Sequence, residues 1–227
     1  MFTLKLRFSS PGAPGDENLS FSVNTFTTGT YNYTSVHVDT AGNRSGYSNT
    51  LTVIVDHDDP TAVITFDGDS LVRAGDVSTL ATFTFSEPMD SVSVPKVDVT
   101  YPGAADSLNL QNQALTESGD GDDVWTYAIP LNSAGLDTID GVITLSLNAS
   151  DMAGNQIAPA GITGLTTLRV DNTNPAFTNV VPTASSFNNV VNNFGWNLSE
   201  SIDTATVTFE NLVDGSKTEV GLIGLEL

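Results

Sequence analysis

The pentapeptide Asp151-Met152-Ala153-Gly154-Asn155 has an earlier counterpart, Asp39-Thr40-Ala41-Gly42-Asn43, 112 positions upstream. Two further features return at nearly the same distance. Val55-Asp56-His57-Asp58-Asp59-Pro60 is echoed 115 positions later by Val170-Asp171-Asn172-Thr173-Asn174-Pro175. Phe85-Ser86-Glu87-Pro88-Met89-Asp90 is echoed 113 positions later by Leu198-Ser199-Glu200-Ser201-Ile202-Asp203. Three features sharing one offset describe a repeated module, and a period of this length is a whole domain rather than a rung of a solenoid.

Helical periodicity is nearly absent. Short runs rich in Val, Thr, Ile, Phe and Tyr alternate apolar with polar and are punctuated by Gly, Asn, Asp and Pro, the pattern of an all-β sandwich. Residues 60–171 read as one complete unit, with strands near Ala62–Phe66, Thr79–Ser86, Val92–Tyr101, Val124–Ile129, Val142–Ser150 and Gly164–Val170. A weaker strand lies around Leu108–Gln113. Their number and the unit's size are those of an immunoglobulin-like sandwich. Residues 1–56 hold strands near Leu19–Phe26, Thr30–Val38 and Thr50–Val55, and align with the second half of such a unit. Residues 175–227, with strands near Phe177–Val181, Val190–Leu198, Ala205–Phe209 and Val220–Leu227, align with the first half. The expected architecture is therefore tandem: one complete sandwich flanked by two partial ones.

Counting back by twos from Asp151 gives Ala149, Leu147, Leu145 and Ile143, a core face. The same count from Asp39 gives His37, Ser35, Tyr33 and Tyr31, a wetter version of that face. Phe83 and Phe85 correspond to Trp196 and Leu198, so the second strand keeps bulky inward positions in both copies.

Composition narrows the partners. Lys and Arg number 7 against 27 Asp and Glu, a formal charge of −20. The basic residues are scattered singly, so no face exists to neutralise the phosphates of nucleic acid or an anionic membrane. The acidic excess favours solubility and a demand for cations. There is no cysteine, which excludes disulfides, thiolate metal sites and thiol nucleophiles. No stretch reads as a signal peptide or a membrane-spanning helix, so an export signal is expected outside these residues.

The sequence Thr82-Phe83-Thr84-Phe85-Ser86-Glu87-Pro88-Met89, followed by Gly141 through Asn155 and then Leu168 through Pro175, resembles bacterial Ig-like repeats. These belong to large cell-surface and secreted proteins, many of them adhesins. The resemblance implies a sandwich used as an extracellular stalk or spacer, and neighbouring units of the same polypeptide as its partners. It implies no particular ligand. The long connection Gly103–Asp123 departs from the family pattern and reads as a unit-specific loop.

In such a topology the loop after the second strand, the loop after the sixth and the linker from the preceding unit meet at one pole. That gathers Asp56, Asp58, Asp59, Glu87, Asp90, Asp151 and Asn155. Carboxylates 4 Å apart repel by roughly 1 kcal/mol per pair in water and several times more when partly buried. Ca²⁺ takes six to eight oxygen ligands at flexible distances. The expectation is a Ca²⁺ ion stiffening this joint, with Asp171, Asn172, Asn174, Glu200 and Asp203 beginning a second such site. Solvated turn residues are the competing reading, and the Asp of Asp-x-Ala-Gly-Asn has a purely mechanical role available, accepting backbone N–H bonds within its turn.

Catalysis finds no support. His37 and His57 lack the partners of a serine or metal mechanism, neither Gly-x-Ser-x-Gly nor His-Glu-x-x-His occurs, and the abundant carboxylates sit on loops. Asp67-Gly68-Asp69 and Asp120-Gly121-Asp122-Asp123 do not complete a calcium loop. The expected function is a non-catalytic extracellular spacer. The alternatives are an accessory module of a secreted polysaccharide-active enzyme, or a carbohydrate-binding domain using Gly103–Asp123 and Trp125. The complementary half-units could also join between chains, although simple truncation of a longer repeat protein accounts for them with fewer assumptions.

Overall fold

The computed structural model describes residues 3–8, 17–22, 26–36, 38, 41–68, 70–73, 75–103, 105–119, 121–131, 136, 139–181 and 195–225. The described chain is all-β, without an α-helix. It divides into two units, Met1–Asp171 and Asn172–Leu227.

The first unit begins with two antiparallel hairpins. One joins β1 (Thr3–Phe8) to β2 (Glu17–Ser22). The other joins β3 (Gly29–Tyr33) to β4 (Leu51–Val55). The sandwich then follows: β5 (Ala62–Phe66), β6 (Leu71–Val72), β7 (Ser78–Phe85), β8 (Lys96–Thr100), β9 (Leu110–Ala114), β10 (Thr116–Glu117), β11 (Val124–Pro130), β12 (Gly141–Asn148), β13 (Ile162–Gly164) and β14 (Thr167–Val170). One five-stranded sheet has the order β10-β11-β7-β5-β13 and the other β6-β14-β12-β8-β9. Neighbours are antiparallel except at one edge of each sheet, where β13 runs parallel to β5 and β6 parallel to β14.

Period-two alternation decides which side chains form the core. Along β7, Thr79, Ala81, Phe83 and Phe85 are buried, whereas Leu80 between the first two is exposed. Along β12, Ile143, Leu145 and Leu147 point inward, and Val97 and Val99 of β8, Trp125 and Ile129 of β11, and Leu168 and Val170 of β14 complete the layer. Each fully buried large apolar side chain contributes about 1.5–3 kcal/mol relative to exposure. The two sheets are also tied by a polar link: the Tyr101 hydroxyl donates to the Pro130 carbonyl at 2.6 Å.

The connection Gly103–Asp123 is not a plain loop. After a 3-10 turn at Ala105–Leu108, β9 pairs with β8 in one sheet and β10 with β11 in the other, the chain crossing between sheets at buried Leu115. The Trp125 indole is 3% exposed and its Nε1 donates to the Asp122 carbonyl at 2.9 Å, so it offers no platform to a sugar. Two expected strands are redrawn. Val92–Tyr101 is strand only from Lys96, because Met89 is already bridged to Asp151 and the intervening chain bends before Pro95. Gly164–Val170 becomes two strands in different sheets, β13 and β14.

The pairing of the sandwich recurs outside it. In the β3–β4 hairpin Gly29 faces Val55 and Tyr31 faces Val53; at offsets of 112 and 115, Gly141 faces Val170 and Ile143 faces Leu168. The bridge Val38↔Arg44 likewise anticipates Ser150↔Gln156. In the second unit, β15 (Phe177–Val181) pairs with β16 (Gly195–Leu198), and β17 (Ile202–Glu210) with β18 (Lys217–Leu225). Phe177 faces Leu198 as Ala62 faces Phe85. Ser86 N–H donates to the Thr61 carbonyl while Thr61 N–H donates to Ser86 Oγ, and Ser199 and Ala176 repeat that reciprocal pair. Among the residues of the second unit whose burial is described, 172–181 and 195–221, none is buried.

Candidate functional site

β12 ends in the Asp151 turn, whose side chain is 2% exposed. Asp151 Oδ1 accepts the backbone N–H groups of Ala153, Gly154 and Asn155 at 2.8, 2.7 and 2.9 Å. Oδ2 accepts Asn155 Nδ2 at 2.8 Å. Gly154 takes φ +93°, a left-handed conformation that its missing Cβ permits. The three N–H groups form an anion nest that the Asp151 carboxylate fills, and the mechanical role expected of the motif is present in full. Of the sequence candidates, His37, Asp39, Asp69 and Asp120 lie outside the described residues.

The incoming linker is stitched to this turn. Asn155 Nδ2 also donates to the Asp56 carbonyl at 3.3 Å, and Asp58 N–H donates to Asp56 Oδ1 at 3.0 Å. His57 N–H donates to Thr28 Oγ1 at 3.2 Å, and Pro60 is buried. From the other side, the loop after β7 arrives through the Met89↔Asp151 bridge, with Asp90 N–H donating to the Ser150 carbonyl at 3.1 Å. Residues far apart in the chain are thus held together by hydrogen bonds of backbone and neutral side-chain groups.

The result is a trio of carboxylates. One oxygen from each of Asp56, Glu87 and Asp151 lies within 4.8 Å of the others. Glu87 is pushed above the ordinary glutamate value of 4.5, first by desolvation, then by the charges of Asp56 and Asp151, a hydrogen bond with Asp56, and the charge of Asp58. Two species relieve such crowding: a proton shared between Glu87 and Asp56, or a cation. The donors are all hard oxygens, the kind a hard cation takes, and Asp151 Oδ2 and the Asp56 carbonyl are drawn together by their shared bond to Asn155 Nδ2.

Asp58, Asp59 and Asp90 are not among the three whose oxygens converge, although the charge of Asp58 reaches Glu87. Asp90 Oδ1 accepts Val92 N–H at 2.8 Å, and Asp58 and Asp59 are exposed. Asp171 closes the first unit, its N–H donating to the Val72 carbonyl and its carboxylate 3.7 Å from Arg169. Asn174, Glu200 and Asp203 belong to the second unit, where Glu200 is half-buried and Oε1 has no hydrogen-bond partner among the described residues. The exposed acidic loop at Asp67 has a structural duty, accepting Thr79 Oγ1 and Leu80 N–H, each at 3.0 Å. His57 is exposed, and no serine or carboxylate is hydrogen-bonded to its ring among the described contacts.

Comparison with protein-family models finds no match, and comparison with curated proteins finds none either.

Proposed function

We propose that the chain is a non-catalytic structural segment of a repetitive extracellular protein, built from Ig-like sandwiches in tandem. The observation that carries the reading is the recurrence of strand register: Gly29↔Val55 repeats as Gly141↔Val170, and Ala62↔Phe85 repeats as Phe177↔Leu198. The strand orders of the two sheets, with the first and last strands paired in parallel at the edges, support the Ig-like assignment. A formal charge of −20 and the absence of cysteine suit an exported bacterial protein with neither nucleic acid nor a membrane surface as its partner.

In this reading the Asp56–Glu87–Asp151 trio is the joint between successive modules, and Ca²⁺ is its ligand. Asp56 comes from the linker while Glu87 and Asp151 come from the sandwich, so an ion shared among them fixes the angle of entry. Extracellular modules bind Ca²⁺ at roughly 10⁻⁴–10⁻³ M. The test is a calorimetric titration with Ca²⁺ at constant ionic strength, with thermal unfolding followed in parallel. Heat of binding, and a melting temperature that rises with Ca²⁺ and falls on adding EDTA, are expected for the native chain but not for Glu87→Gln. A melting temperature indifferent to both additions removes the ion and leaves a joint made of hydrogen bonds.

A further inference from the structure

Where β8 begins and β12 ends, the outer side of the β6-β14-β12-β8-β9 sheet holds a concavity of about 510 Å³. It contains the cross-strand pair Lys96↔Asn148, which alternates with buried Val97 and Leu147 and so stands on the solvent side. Asn112 of β9 joins them, with Ser150 and Gln156 from the chain that leaves β12.

The lining is fixed by the protein itself. Val94 packs against the core, Asp90 Oδ1 accepts Val92 N–H at 2.8 Å, and the bridge Ser150↔Gln156 closes another side. Pairing of β9 with β8 shifts register between Val97 and Val99, and there Asn112 takes φ +53°, a left-handed conformation uncommon for a residue with a Cβ. Its N–H donates to Asp98 Oδ1 at 2.7 Å and holds the irregularity in place. Irregularities of this kind re-aim side chains beside functional sites.

What the concavity offers is unused hydrogen-bonding capacity. Among the described residues, the side chains of Lys96, Asn112, Asn148, Ser150 and Gln156 make no hydrogen bond or ion pair with the protein. Each of the three amides sets a donor NH₂ beside an acceptor oxygen, a match for neighbouring hydroxyls. Lys96 is the one charged residue of the lining, in a chain with 7 basic residues against 27 acidic, and its ammonium suits a carboxylate. A peptide cannot add here as a strand, because β8 is already paired on both sides, by β12 and by β9. The volume is that of a small-molecule site.

We propose that this concavity is a saccharide site selective for a sugar residue bearing a carboxylate. Lys96 meets the carboxylate, and the amides of Asn112, Asn148 and Gln156 meet the hydroxyls. A formal charge of −20 disfavours long polyanions, so the ligand is a single or terminal acidic sugar rather than a run of them. The inference goes beyond the modular reading and needs neither the repeat nor an ion beside Asp151.

Titration of the isotope-labelled full chain with sodium glucuronate, followed by NMR, tests it, with glucose, acetate and a short acidic peptide as comparison probes. Saturable shifts are expected at the Lys96 amide and at the side-chain amides of Asn112, Asn148 and Gln156, with a Kd of about 1 mM. Glucose is expected to shift the same amides about tenfold more weakly, lacking the charged bond to Lys96. Lys96→Met is expected to bring glucuronate down to the affinity of glucose, and Asn148→Ala to weaken both sugars about fivefold. Both positions are exposed, so each variant is expected to keep the native melting temperature. Lys217→Met, a charge removed from the second unit, is expected to bind like the native chain. Absence of a saturable shift with glucuronate overturns the proposal, as does an equal response to acetate, to glucose or to the acidic peptide. Glucuronate binding that survives Lys96→Met undiminished overturns it too.

Discussion

Asp151 is where a single side chain decides the geometry of a turn. It holds three backbone N–H groups on one oxygen and the Asn155 amide on the other. Hydrogen bonds to a charged acceptor are worth about 1.5–3 kcal/mol each, though those on one atom are not additive. Asp151→Ala is accordingly expected to cost about 3–4 kcal/mol in urea unfolding, of the order seen when a buried polar network loses its centre. Glu87 behaves in the opposite sense. Because folding raises its pKa, the folded state binds its proton more tightly than the unfolded state does. The stability this provides is complete below the unfolded value of 4.5 and is lost as pH rises through the raised folded value. In chelator, Glu87→Gln should therefore flatten the stability profile above 4.5 and make the protein no less stable at neutral pH. A steep profile persisting in the variant would assign the titration to another group. Tyr101 marks the alkaline limit: its hydroxyl is buried, which pushes its pKa to about 12. Stability is expected to fall as pH rises from 10, where the unfolded tyrosine ionises, to about 12, and Tyr101→Phe to lose that slope.

At the level of strands, the sharpest constraint is at Gly164. Its φ of +85° is left-handed, and a Cβ there would press on the Ile64 carbonyl across the parallel β5–β13 pair. Gly164→Ala should cost about 1–2 kcal/mol from backbone conformation alone, with a further loss as β13 is pushed off; amide exchange at Leu165, whose N–H donates to Ile64, is the local readout. Much of the sandwich was legible because alternation is a strong signal: Ala81-x-Phe83-x-Phe85 and Ile143-x-Leu145-x-Leu147 each show their buried face directly. That Asp56, Glu87 and Asp151 lie near one another was legible too, since the expected topology brings their loops to one pole. What alternation does not encode is pairing partner. Leu110–Ala114 and Thr116–Glu117 are short, polar edge strands, and their assignment to opposite sheets is determined by the crossing at Leu115 rather than by any local pattern. The break between β13 and β14 was hidden for the same reason. Sequence groups Asp58, Asp59 and Asp90 with these three; that Asp58 and Asp59 are exposed and that Asp90 accepts Val92 N–H are details loop proximity does not encode.

Across the whole molecule the two units differ in kind. The first holds a continuous core, whereas the second consists of paired strands, with no buried residue among 172–181 and 195–221. Isolated two-stranded pairs are marginal in water. Thermal unfolding of dilute protein is thus expected in two steps, the first seen by Trp196 and the second by Trp125, and a single coincident transition would contradict it. The parallel edges of the sandwich carry a last consequence, in the realm of force. β5 and β6 stand at the entry of the sandwich and β14 at its exit, and each sheet clasps entry to exit, β5 to β13 and β6 to β14. Arg169 N–H donates to Ser70 at 2.7 Å, Asp171 N–H to Val72 and Leu165 N–H to Ile64 at 2.9 Å. A pull along the chain from Asp56 to Asp171 loads these bonds side by side in shear instead of opening them one at a time. A strand pair stressed in that direction yields only when several bonds fail together, so the feature that closes the two sheets also makes the sandwich a link able to bear tension.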